Sequence, residues 1–270
     1  MSNSKKTSPQ QLTVRIKECK NSGDFLQLLS QQGAAFDHIH VSAAWSKFKS
    51  MPRGGDRGTR IEVVRMLQEL TESQMPKMNG RGVSNILHAI AKAKAADTGS
   101  MKQLVNKLMA KATPVSQSFD PQAVANTVWA LATMGVTPEA GLLRAMQGRA
   151  TALAGEFNPQ EVANTVWAHA CFGFPCGKGE EEVFEILAFR LLEVVSKMEP
   201  KEERQVHQWL LTFELEPSWD LSSLAQVNVV KQQLGERCRR SFVLEDPKPS
   251  DLQVDLALIS RLTFSDRSLV

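Results

Sequence analysis

A 17-residue segment occurs twice in the chain, and its two copies begin 38 residues apart. Residues 119–135 read FDPQAVANTVWALATMG and residues 157–173 read FNPQEVANTVWAHACFG, so 12 of the 17 positions are identical. A period between about 20 and 50 residues is typical of proteins built from stacked repeats, in which each unit buries its apolar face against its neighbours. The repeat therefore predicts a stack of similar units.

Weaker copies of this template lie on both sides of the strong pair. They start at Phe36, Met78 and Met198. The copies divide residues 36–218 into five expected repeats, namely 36–77, 78–118, 119–156, 157–197 and 198–218. We expect the flanking segments to be a loose polar N-terminus (1–11), an N-terminal helix pair (12–35), a C-terminal helix (219–243), and a linker with a short terminal helix (244–270).

Each strong copy carries signals for both ends of a helix. Asp120 and Asn158 are N-cap residues, and each is followed by a proline at the first helical position. Glu161 completes a capping box with Asn158. Gly135 and Gly173 stand where a residue in the left-handed conformation ends a helix. These signals predict a helix of about 14 residues in each copy.

Apolar residues at helical spacing predict a second helix in each repeat. The stretches with this spacing are 60–70, 101–111, 137–153 and 180–198. Sustained period-two alternation, which would indicate strands, does not occur between hairpin signals. We therefore expect an all-α fold, an α-solenoid of stacked helix-turn-helix repeats of 38–42 residues.

The charged residues are distributed unevenly along the chain. Residues 1–118 contain 18 Lys and Arg against 8 Asp and Glu, a net charge of +10, whereas residues 119–270 contain 14 against 21, a net charge of −7. The basic first part favours a polyanionic partner. A solvated, polarised surface would explain the same charges.

Several classes of protein do not fit the sequence. No apolar run approaches 18 residues and no secretory leader is recognisable, so we expect neither a membrane protein nor a secreted one. His38 and His40 have no partner at metal-ligand spacing, and the four cysteines are too scattered for a disulfide framework or a zinc site. Because motifs for a catalytic nucleophile or a phosphate loop are also missing, we expect no enzymatic activity, no metal and no cofactor.

The repeated F-[DN]-P-Q…V-A-N-T-V-W-A…G core resembles the octotricopeptide-repeat proteins, over about residues 36–215 and most strongly over 119–173. Members of this family are imported into chloroplasts or mitochondria and act on the stability, processing or translation of organellar RNA. The resemblance implies that the chain binds single-stranded RNA, without a small-molecule substrate, in one of these organelles. No Arg- and Ser-rich presequence precedes the repeats, so organellar import is implied by the family alone and a cytoplasmic location stays open.

Many members also carry a C-terminal RAP domain. Residues 250–259 resemble the helix that leads into such a domain, and the chain ends at Val270. We therefore expect the RAP domain itself to be missing, and a nuclease-like role is not carried over.

Polar positions of the first helices are candidates for contact with RNA bases. Arg81, Gln122 and Gln160 share the second helical position, nearer to solvent. Asn85, Asn126 and Asn164 share a later position, where an amide can bond a base edge or bridge neighbouring repeats. Both roles are compatible with the sequence.

Basic side chains before the strong repeats are candidates for contact with RNA phosphates, with the salt dependence that counterion release entails. A solvated loop and a polar helix face would explain them equally. The candidates are Arg53, Arg57, Arg60, Lys92, Lys94, Lys102, Lys107 and Lys111.

Two further hypotheses involve no RNA. The acidic second part contains Glu180–Glu182, Glu199, Glu202 and Glu203, which would repel RNA and could dock a basic partner such as a ribosomal protein. The chain would then be a scaffold in a ribonucleoprotein assembly. The other hypothesis is a truncated paralogue without binding activity of its own.

Overall fold

The computed structural model describes residues 8–52, 56–95, 99–172, 181–215 and 224–243, and these residues form twelve α-helices and no strand. The expected all-α fold is confirmed. The chain divides into two compact units, Met1–Ser118 (unit 1) and Phe119–Val270 (unit 2). This boundary coincides with the division between the basic and acidic parts of the sequence.

Unit 1 consists of three helical hairpins. Helices α1, α3 and α5 pack side by side in that order, and α2, α4 and α6 form a second layer in the same way. We call the first set the first helices and the second set the second helices. Their bounds are Pro9–Glu18 (α1), Ser22–Gln32 (α2), His38–Ser50 (α3), Arg57–Gln74 (α4), Gly80–Ala93 (α5) and Gly99–Ala112 (α6).

Unit 2 has the same organisation, with α7, α9 and α11 as first helices and α8, α10 and α12 as second helices. Helix α12 lies outside the expected repeat 198–218, but it packs against α10 and α11 as the second helix of a third hairpin does. The bounds are Pro121–Thr133 (α7), Ala140–Leu153 (α8), Pro159–Phe172 (α9), Glu181–Val194 (α10), Pro200–Leu215 (α11) and Ala225–Val243 (α12). The expected terminal segment 244–270 lies outside the described residues.

The start of each repeat has one local structure. A single 3-10 turn is followed by a buried apolar residue and then by the first helix. Asp120 caps α7 by accepting a hydrogen bond from Ala123 N at 2.8 Å. Asn158 and Glu161 form the expected capping box, with both bonds at 2.9 Å. The buried residues are Phe36, Met78, Phe119, Phe157 and Met198.

Helix α7 ends in the expected left-handed residue, because Gly135 has φ 68°. Val136 N donates to Leu131 O at 2.9 Å and Gly135 N to Ala132 O at 3.0 Å, the two bonds of a Schellman motif. Gly173, the corresponding residue after α9, lies outside the described residues. After α5 the same repeat position holds Lys94, which also has a positive φ, of 52°.

Candidate nucleic-acid interface

The candidate residues lie on both layers of helices rather than in one groove. The first helices carry Arg81, Lys92, Gln122, Asn126, Gln160 and Asn164, and Lys94 follows the end of α5. The second helices carry Arg57, Arg60, Lys102, Lys107 and Lys111. Arg53 lies outside the described residues.

Helix α5 presents a stripe of polar side chains on the outward side of the first helices. Arg81, Asn85, His88 and Lys92 are spaced by four, three and four residues, which places them on one face of the helix. Arg81 and Lys92 are exposed, while Asn85 and His88 are partly buried. A charged face of this kind, about 16 Å long at 1.5 Å per residue, can follow a phosphate backbone.

Lys49 of α3 reaches this stripe, and its Nζ lies 3.2 Å from His88 Nδ1. The side chain is half-buried, and loss of hydration lowers the pKa of its ammonium group. Within the described part of the chain no carboxylate contacts it. We call Lys49, Arg81, His88 and Lys92 together the α5 basic face.

The Asn position of the repeat links neighbouring first helices. Asn85 Nδ2 donates to Ser42 Oγ of α3 at 3.3 Å. In unit 2, Asn164 Oδ1 accepts from Gln205 Nε2 of α11 at 2.8 Å, and Asn164 is only 6% exposed. These bonds support the bridging role for Asn164, because so little of its surface could meet a base. Asn126 is partly buried.

Gln122 and Gln160 are exposed on α7 and α9, so both are accessible to a ligand. The two repeated tryptophans are less so: Trp129 is partly buried and Trp167 is 5% exposed. Packing against neighbouring helices therefore accounts for most of the surface of Trp167.

Two of the candidate lysines on α6 connect it to the preceding repeat. Lys107 Nζ forms an ion pair with Glu72 at 3.0 Å. Lys111 Nζ donates to Pro76 O at 3.0 Å, a bond that leaves the positive charge of the lysine without a counter-charge. Both side chains thus have a role in packing.

Arg60 is engaged in a similar way at the start of α4. Its guanidinium donates to Pro52 O at 3.1 Å and lies 4.6 Å from the centroid of the Phe48 ring, in a cation–π contact. Arg57 and Lys102 are exposed. The second helices of unit 1 therefore present fewer accessible cations than the sequence suggested.

The acidic residues at the start of α11 are largely used inside unit 2. Glu203 is 5% exposed and pairs with Arg237, while it also accepts a hydrogen bond from Ser241 Oγ. Glu202 is buried and accepts from Glu199 N at 2.9 Å. Glu180 lies outside the described residues.

The described residues give little support for a metal site, a reactive cysteine or a membrane-spanning helix. They contain no group of three His, Cys, Asp or Glu side chains able to hold a metal. Burial raises the pKa of the Cys238 thiol to about 12, which disfavours a reactive thiolate. None of the described helices is long and apolar enough to cross a bilayer.

Lys49 and His88 were not among the site residues expected from sequence. The spacing of the α5 stripe is readable in the sequence, since its members recur at helical intervals. The contribution of Lys49 is not, because its contact with His88 spans 39 residues and depends on how α3 packs against α5.

Comparison with known proteins adds no family assignment: no protein-family model and no curated protein matches the chain.

Proposed function

We propose that this protein binds single-stranded RNA, without catalysing a reaction, through the outward side of the first helices of unit 1. The observation that carries the proposal is the α5 basic face, in which the half-buried ammonium of Lys49 has no carboxylate partner within the described residues. An RNA backbone would supply the missing negative charge.

The charge of the whole unit supports this placement. Residues 1–118 carry a net charge of +10, so the field around unit 1 attracts polyanions before any contact forms. Single-stranded RNA also offers unstacked bases to polar side chains. In unit 2, considered by itself, Gln122 and Gln160 are exposed candidates for such base contacts.

The biological role follows from the resemblance of the repeat to the octotricopeptide family. Bound RNA would be shielded from nucleases or held open for translation or processing in a chloroplast or mitochondrion. Support for this part comes from the repeat motif alone.

The test is a fluorescence-anisotropy titration of the full chain with single-stranded and duplex RNA at about 50 and about 200 mM salt. If the three cations Lys49, Arg81 and Lys92 contact phosphates, the affinity for single strands should fall about twentyfold between the two conditions. Substituting these three residues together by Gln should reduce the slope of log Kd against log salt by about 2.

The matched control removes three exposed charges elsewhere in unit 1, through Lys17→Gln, Lys20→Gln and Lys77→Gln. It should retain most of the affinity. An equal loss in the control would show that net charge, not this face, is responsible. Absence of binding at low salt would contradict the proposal.

The alternative of a scaffold that docks a basic protein rests on the net charge of −7 in residues 119–270. The burial of Glu202 and Glu203 weakens it, since these carboxylates already bond groups within unit 2. A chain that fails to bind RNA but captures a basic ribosomal protein would favour the scaffold.

A further inference from the structure

The pair Lys49–His88 departs from the pattern of the repeat. The position of Lys49, 13 residues after the start of its repeat, holds alanine in the next three repeats, as Ala91, Ala132 and Ala170. All three alanines are buried. Packing at this position therefore requires no charge, and the lysine needs another explanation.

His88, the second residue of the pair, also departs from the pattern of the repeat. The position of His88, 10 residues after the start of its repeat, holds Trp129 and Trp167 in the two strong copies. Where those repeats place an indole ring, the repeat that starts at Met78 places an imidazole in contact with an ammonium group. The two side chains that depart from the repeat pattern, Lys49 and His88, contact each other between α3 and α5.

The direction of the hydrogen bond follows from the chemistry of the ammonium group. An ammonium group has no acceptor, so Lys49 Nζ donates to His88 Nδ1 at 3.2 Å. Lys49 has two further N–H groups that can bond a ligand.

The nearby carboxylates are either missing or already paired. Neither α3 nor α5 contains an Asp or Glu residue. In α4, which packs against α3, Glu62 and Glu69 pair with Arg65. Glu72 of the same helix pairs with Lys107. A half-buried cation without a counter-charge is unfavourable unless an anion compensates it. Burial also lowers the pKa of Lys49, as expected for an ammonium group that lacks a carboxylate neighbour.

We propose that the ammonium group of Lys49, held beside His88, forms a subsite for a phosphate oxyanion. The proposal rests on the proposed function in that the RNA backbone would supply the phosphate, although inorganic phosphate has the same chemistry. An oxyanion accepts charge-assisted hydrogen bonds from an ammonium group, and so provides the missing counter-charge.

The experiment follows the His88 imidazole by NMR while inorganic phosphate is added to the full chain at constant ionic strength, with chloride as the reference anion. His88→Gln identifies the resonance. Phosphate should shift it saturably and chloride should not. In Lys49→Ala, which copies the residue of the neighbouring repeats, the phosphate affinity should fall at least about tenfold, the loss expected for one charge-assisted hydrogen bond.

Lys47→Ala is the matched control, since it removes the same charge from the same helix and Lys47 instead bonds Lys17 O at 2.8 Å. It should leave the response of His88 unchanged. An identical response to chloride, no saturable response, or equal losses in Lys47→Ala and Lys49→Ala would overturn the subsite.

A second arm adds single-stranded RNA, which should shift the same resonance at a far lower phosphate concentration. RNA that binds without affecting His88 would overturn the subsite but leave the proposed function intact. A response to inorganic phosphate without RNA binding would support the subsite and overturn the proposed function.

Discussion

Gln205 Nε2 donates a hydrogen bond to Asn164 Oδ1 at 2.8 Å, between two buried side chains on neighbouring first helices. Both residues stand seven positions after the start of their repeats. Asn85 and Ser42 form a related bond between α3 and α5 in unit 1. An amide at this position therefore joins one hairpin to the one before or after it.

Replacing Asn164 by Ala should lower the free energy of unfolding by about 1–3 kcal/mol, because the buried Gln205 amide loses its acceptor. Denaturant titration measures this loss. Gln122→Ala, at an exposed site on α7, should leave stability nearly unchanged. A loss of RNA affinity without a loss of stability in the Asn164 variant would instead favour base contact.

Lys94→Gly should raise the free energy of unfolding by about 1 kcal/mol, since a residue with a side chain is disfavoured at φ 52°. It should also weaken RNA binding by removing an exposed charge at the end of α5. The reciprocal change Gly135→Lys should lose similar stability and leave RNA affinity unaltered. Thermal denaturation and anisotropy on the same samples test both effects, and a Lys94→Gly protein of unchanged stability would contradict the assigned strain.

His169 should make unit 2 less stable in mild acid. Its Nδ1 donates to Thr165 O at 2.8 Å, and burial lowers the pKa of the imidazole. The unfolded chain takes up a proton below about pH 6.5 and the folded chain resists it, so the free energy of unfolding falls as the pH drops below that value. His207 is half-buried, its pKa is lowered as well, and it should add a smaller effect of the same sign.

His169→Leu provides the test, because Leu131 is the buried residue at the same repeat position in α7. Denaturant unfolding at about pH 7.5 and about pH 5.5 brackets the relevant range and avoids most carboxylate titration. The variant should lose less stability than the original chain over this interval. Equal losses would assign the pH dependence to other groups.

Glu185 of α10 should control the docking of α12. Its carboxylate accepts hydrogen bonds from Gln226 N at 2.9 and 3.0 Å and from Val227 N at 3.3 Å, at the first turn of α12. Glu185→Ala should cost about 1–2 kcal/mol, as for the loss of a charged helix cap. Hydrogen exchange of the α12 amides should accelerate, whereas Glu182→Ala, at an exposed site on α10, should not have this effect.

The helix ends could be predicted from sequence because capping is local. Asp120, Asn158 and Gly135 each act on groups within about five residues, so their types and spacing are sufficient. The repeat period also predicted which helices pack together. When similar repeats stack, the first helices lie beside one another and so do the second helices.

Contacts between hairpins were not predictable in this way. Lys107 and Lys111 belong to one basic run in the sequence, but the first pairs with a carboxylate and the second with a backbone carbonyl. Because every residue has a backbone carbonyl, a bond to one cannot be predicted from residue types. The Lys49–His88 contact likewise depends on the rotation of α3 against α5, which the sequence does not encode locally.

The side-by-side packing of like helices also bears on how each unit forms. Along each layer a helix packs against the helix one hairpin earlier, so partners are separated by about one repeat length in the chain. Such short chain loops close with little entropic penalty, and helical proteins rich in near-neighbour contacts fold fast. We expect folding to begin at any well-capped hairpin and to spread to its neighbours, so each new hairpin can dock as it leaves the ribosome.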